Sequence, residues 1–219
     1  MQKLESIVHT RGPIRAGDHL FREGDDFHAL YAVKSGALKT YTIDNQGREH
    51  VLGFQIAGEL VGLDGIHAGR NRCNAVALSD TSVCALPFAR LEQVIHEIPG
   101  LQSQVLRIMS REFAASSQLA TDHSAEERLA GFLVSLVRRY KRRGLSATVL
   151  TLPMPRRDIA SYLRLATETV SRLLARFQDD GLVAVRRREV RILDFTALHA
   201  LGASFDLDGS GGERRGVRS

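Results

Sequence analysis

Three residues in the last third of the chain, Glu168, Ser171 and Arg172, place an acceptor, a hydroxyl and a forked donor close together. At 100° per residue they fall on one side of a helix with Ala175, while Val170, Leu173, Leu174 and Phe177 fall on the other. A carboxylate accepts from cytosine N4, a guanidinium donates twice to guanine O6 and N7, and a hydroxyl serves several partners. The outer side of this helix therefore has the groups that read base edges. Its inner side is built for a core.

The flanking residues supply the elements that would hold such a helix. Pro155 suits a first helical turn, and Ile159, Tyr162 and Leu163 give that helix a buried side. A break at Arg164-Leu165-Ala166 follows, and a second helix runs from about Thr167 to Asp180 before Gly181 stops it. Two short helices about a tight turn make a helix-turn-helix, whose second helix fits a major groove. Arg156 and Arg157, in the first turn of the leading helix, are placed for phosphates, as are Thr167 and Thr169 at the start of the second. Leu182–Val185 and Val190–Leu193 read as a hairpin with Arg186-Arg187-Arg188 at its tip. That hairpin is a wing, and Arg187 and Arg188 would offer it to the DNA backbone.

Upstream, Ser124-Ala125-Glu126-Glu127 is a capping box, and Leu129, Phe132, Leu133, Leu136, Val137 and Tyr140 form one stripe of the helix it opens. Before it, a three-four repeat at Leu101, Val105, Ile108, Glu112, Ala115 and Leu119 predicts a helix with a short coiled-coil-like seam, to be packed against a partner helix or against the β domain of its own chain. From Ile14 to about Phe88, short apolar runs alternate with glycine-containing turns, the pattern of an antiparallel sandwich or barrel. The Gly-, Ser- and Arg-rich end from Ala203 reads as disordered.

Composition narrows the class further. The 219 residues carry 30 Lys+Arg against 25 Asp+Glu, a net +5. Residues 1–137 hold 13 basic against 16 acidic groups (−3), and residues 138–219 hold 17 against 9 (+8). A basic second half points to nucleic acid. No apolar run approaches the ~20 residues of a spanning helix, and the first ten residues lack the apolar core of a secretory signal, so a cytoplasmic protein with no membrane partner is expected. There is no Gly-x-Ser-x-Gly elbow, phosphate loop or His-Glu-x-x-His, so an enzyme is not expected.

Several blocks together resemble the CRP/FNR family of bacterial transcription regulators over about residues 1–200. They are Gly17-Asp18-His19-Leu20-Phe21-Arg22-Glu23-Gly24-Asp25, Leu30-Tyr31-Ala32-Val33-Lys34-Ser35-Gly36, Ala57-Gly58-Glu59-Leu60-Val61-Gly62, Ala125-Glu126-Glu127-Arg128-Leu129 and Glu168-Thr169-Val170-Ser171-Arg172. The resemblance implies an α+β chain: an antiparallel β-roll sensor domain (1–98), a dimerisation helix (99–123), a winged helix-turn-helix (124–202) and a tail (203–219). It also implies a homodimer on two-fold symmetric double-stranded DNA, with recognition helices about one turn (~34 Å) apart, and contact with RNA polymerase. Glu168, Ser171 and Arg172 match the FNR-like form, for which the half-site resembles TTGAT. Two positions depart from the family pattern. Arg164 stands where Gly is common, at a cost of roughly 1 kcal/mol if left-handed, and Ala166 replaces a capping Ser or Thr, a loss of ~1 kcal/mol.

For the signal, the resemblance offers two alternatives. FNR-type sensors hold a [4Fe-4S] cluster on four cysteines, and Cys84 matches the β-roll ligand. The three N-terminal partners are absent, so the chain is either a cluster-free regulator or a clipped sensor. In the cyclic-nucleotide branch a Gly-Glu pair meets ribose and an Arg followed by Ser or Thr meets phosphate. Here Gly58-Glu59 and Arg72 are present, but Cys73 replaces the hydroxyl residue and Val61 interrupts the expected spacing.

Overall fold

The computed structural model describes residues 8–95 and 97–208. Contacts divide the chain into two compact units, residues 1–106 and 107–219, and the division falls inside a long helix.

The first unit is two four-stranded antiparallel sheets. One has the order β1 (His9–Ile14), β8 (Thr81–Pro87), β3 (Ala29–Ser35), β6 (Leu60–Val61). The other has the order β2 (His19–Phe21), β7 (Asn74–Ala77), β4 (Ala37–Ile43), β5 (Glu49–Ile56). Leu20, Phe21, Val33, Leu38, Val61, Ala75 and Val83 fill the space enclosed. The turn from β3 to β4 needs glycine: Gly36 has φ +81°, and a Cβ there would strike Asp80 and Thr81. At the β4–β5 turn Asp44 accepts from the amides of Gln46 (2.8 Å) and Arg48 (3.0 Å) and pairs with His50 and the Arg48 guanidinium. The His50 bond above all, then the Arg48 amide, holds the Asp44 carboxyl far below the usual carboxylate range. Two short helices complete this part, α1 (Gly65–Ala68) and α2 (Phe88–Val94).

Helix α3 (Leu101–Ala120) buries no residue. The expected seam residues, Leu101, Val105, Ile108, Ala115 and Leu119, are half-buried. The apolar side chains left in solvent lie about 100° further round: Leu106 is 58% exposed, Met109 43% and Phe113 76%. The most exposed apolar row is thus not the one that the sequence spacing picks out.

In the second unit, α4 (Ala125–Lys141) is the centre. Ser124 and Glu127 form the expected capping box. Every residue from Leu129 to Val137 is buried, not only the expected stripe. The second side is covered by α7 (Phe195–Leu201) and the segment after it. Disorder from Ala203 is thus corrected for residues 203–208: Phe205 is fully buried, its ring and carbonyl against Gly131 of α4, and Leu207 is 6% exposed. Residues 209–219 lie outside the described residues.

Candidate nucleic-acid interface

Two helices and a three-stranded sheet build the basic end of this unit. Helix α5 (Arg156–Leu163) starts after Pro155, whose extended backbone (φ −70°, ψ 158°) makes it the N-cap. It ends at Arg164, which takes the left-handed conformation (φ 56°, ψ 44°) that the sequence made costly. Ala166 is the N-cap of α6 (Thr167–Asp179) and offers no side-chain hydrogen bond, so the first turn of α6 is uncapped.

Helix α6 divides as its periodicity requires. Val170, Leu173, Leu174 and Phe177 are its buried residues. Removing each from water contributes about 1.5–3 kcal/mol, and this fixes the rotation of the helix. Glu168 and Arg172 consequently stand exposed one turn apart, with Ala175 beyond and Ser171 half-buried beside them. Thr167 is exposed at the first position, and Thr169 is half-buried.

The structure moves Arg156 closer to the reading face than its place in the sequence indicated. Its Nη1 donates to Ser171 Oγ at 3.3 Å, so the hydroxyl of α6 and a guanidinium of α5 form one polar group. Arg157 is exposed and pairs with Asp158, 3.5 Å away. Asp158 itself is buried, which anchors the first turn.

The wing is β10 (Val183–Arg186) against β11 (Glu189–Ile192), with Arg187 and Arg188 as its two-residue loop. Arg187 is left-handed (φ 56°), as the first residue of such a tight hairpin turn must be. A third strand, β9 (Val149–Thr151), pairs with β11 and was missed in the sequence because three residues show no period. The Leu152 amide donates to the Arg188 carbonyl at 2.8 Å and ties the tip down. A crevice of about 60 Å³ runs between wing and helices. Met154, Ile159 and Leu174 line it together with Arg156, Arg187 and Arg188. Three arginines from two separate stretches of sequence thus line one crevice.

The first unit holds the residues considered for a signal. Glu59 Oε2 accepts from the Ile56 amide at 2.9 Å and closes its own turn. Arg72 is exposed, with its amide donating to Asp64 at 2.8 Å. Cys73 is 3% exposed within the β-roll core, and burial, then Asp64, pushes its thiol far up. A thiol packed there does not meet a phosphate. A cluster of the FNR type needs four thiolates, and this chain has two cysteines, one of them this buried thiol and the other, Cys84, half-buried in β8. The residues present do not fit such a cluster. Among the described residues no group of three or more His, Cys, Asp or Glu side chains is arranged to hold a metal ion, and no described helix is long and apolar enough to cross a membrane.

A helix pair with an amphipathic second helix and a basic wing defines a winged helix-turn-helix, a DNA-reading domain. The comparisons agree. Residues 127–201 match the Crp-like helix-turn-helix domain and residues 12–97 match the cyclic nucleotide-binding domain. The chain is 44% identical over 212 residues to the transcriptional activator protein anr of Pseudomonas aeruginosa, covering 95% of this chain and 86% of that protein. It is 42% identical over 204 residues to the fumarate and nitrate reduction regulatory protein of Salmonella typhimurium, covering 92% and 82%. Among solved structures it is similar to FixK2 from Bradyrhizobium japonicum, with a TM-score of 0.76 and 28% identity over 89% of this chain and 96% of that one. The chain belongs to the CRP/FNR family of DNA-binding transcription regulators. It is a regulator and not an enzyme.

Proposed function

We propose that this chain acts in the cytoplasm as a homodimeric transcription activator on a two-fold symmetric site with TTGAT-like half-sites. Glu168, Ser171 and Arg172 of each protomer read base edges, with Arg156 bonded to Ser171. Arg157, Thr167, Thr169, Arg187 and Arg188 hold the DNA backbone, Arg156 joining them through the crevice it shares with the wing. The bound dimer contacts RNA polymerase. The observation that carries this reading is the clean division of α6, four apolar residues inward and Glu168 and Arg172 outward. The dimer pairs through the Leu106, Met109 and Phe113 face of α3, because this three-four apolar row is the one most exposed to solvent and needs a partner.

Binding to a palindrome of two TTGAT half-sites, followed by fluorescence anisotropy over a salt series, tests this. Arg187→Ala should weaken specific and random DNA alike. It should flatten the salt slope by about 0.9 for each lost phosphate contact, hence about 2 per dimer. Equal affinity for the palindrome and random DNA in the wild type would overturn the reading.

A further inference from the structure

Near the start of α4, one guanidinium joins two parts of the second unit. Arg128 Nη2 donates to the Thr121 carbonyl at 2.9 Å and Nε to the His123 carbonyl at 3.1 Å, both in the linker between α3 and α4. Nη1 donates to the Leu163 carbonyl at 3.3 Å, at the end of α5. The group is planar, so its three bonds cannot turn independently. Linker and helix-turn-helix are thereby locked to one rigid group.

That group is itself held by the C-terminal segment. The Phe205 ring lies against the Arg128 guanidinium, 5.8 Å from its centroid, and meets the His123 ring edge-on at 5.2 Å. Ser204 donates to Glu127 Oε1 at 2.6 Å, while Glu127 Oε2 accepts from the Ser124 amide at 2.8 Å. The Ser204 bond is the main reason the Glu127 carboxyl falls to about 2. The segment can lie this close only because Gly131 has no side chain: a Cβ there would collide with the Phe205 carbonyl. Its far end is fastened by Arg138 to Asp206 (3.2 Å) and Arg142 to Asp208 (3.0 Å).

We propose that residues 202–208 form a strap that, through Phe205 and Arg128, holds the 121–124 linker in one conformation and so sets where each recognition helix lands on DNA. Phe205 and Arg128 are positioning residues for DNA reading, although neither belongs to the reading face. The proposal rests on the homodimer reading above, since only a paired molecule must place two helices at a fixed separation.

The test uses the full chain and palindromes whose half-site spacing is correct or changed by one base pair. Phe205→Leu keeps an apolar side chain and removes the ring, and Arg128→Lys keeps charge and removes the fork. Size-exclusion chromatography and circular dichroism confirm that each variant is a folded dimer. Losing the cation–π contact lowers the competent population, so binding at the correct spacing should weaken about 2- to 30-fold. Binding at wrong spacings should weaken less, and the spacing preference should shrink. A contact that merely stabilises the fold would lower the melting temperature and leave that preference unchanged. Folded dimeric variants as spacing-selective as wild type would overturn the strap alone. A wild type without spacing preference would overturn the strap and the homodimer reading together.

Discussion

Helices α3 and α6 are both amphipathic, yet they stand in opposite situations. All four inward apolar residues of α6 are buried, and its polar side is free for a ligand. Helix α3 buries nothing: one apolar row is half-buried and a second, Leu106, Met109 and Phe113, stands in water. A helical period says that a face is apolar. Only the surrounding structure says whether the chain itself provides the cover. In α6 the two coincide, and in α3 they separate, which is why the proposed dimer is assigned to the exposed row.

Breaking the free row has the largest expected effect. Phe113→Glu should give a folded monomer by analytical ultracentrifugation. Loss of bivalent engagement should cost about 100- to 10,000-fold in affinity for a palindrome. Val105→Ala, on the half-buried row, should remain dimeric. If the two variants exchanged behaviours, the assignment of rows would be reversed. On α6 the corresponding injury is internal: Leu174→Ala should destabilise the second unit by about 2–5 kcal/mol in urea unfolding, since it opens a cavity under the helix.

This contrast also explains what could be read beforehand. The helix-turn-helix, the capping box at Ser124 and the hairpin around Arg187 rest on neighbours in sequence, and local patterns carry them. The two rows of α3 overlap, each with a three-four spacing, and the sequence pattern favours the longer row, which begins at Leu101. Spacing alone does not say how exposed each row is. The ordered segment 203–208 was hidden for the same reason. Its composition is that of a tail, but Phe205 and Leu207 stand two apart, and Ala130-Gly131 leave room on a second side of α4. The bond from Arg156 to Ser171 joins positions 15 apart and has no local signature.

Between these extremes lies the outer face of α6. Arg172→Ala removes a side chain that is exposed in the free protein, so the melting temperature should hold. Discrimination at one base pair of each half-site should fall by about 1–3 kcal/mol, measured by competition with single-base operator variants. A uniform loss across all sequences would instead make Arg172 a backbone contact and sharpen the division between reading and holding residues.

The smallest expected change is a gain, and it isolates how α6 begins. Ala166 has the extended backbone of an N-cap (φ −75°, ψ 147°) without an oxygen to use there. In Ala166→Ser the hydroxyl would accept from the amide of Glu168 or Thr169, satisfying one of the donors that a helix start leaves open. Thermal unfolding should show about 1 kcal/mol of added stability. Base discrimination should stay as it was, because Val170, Leu173, Leu174 and Phe177 already fix the rotation of the helix. If specificity rose with stability, the uncapped first turn would be fraying in the free protein, and the contrast with α3 would narrow: α6 too would depend on its partner, the DNA, to complete its order.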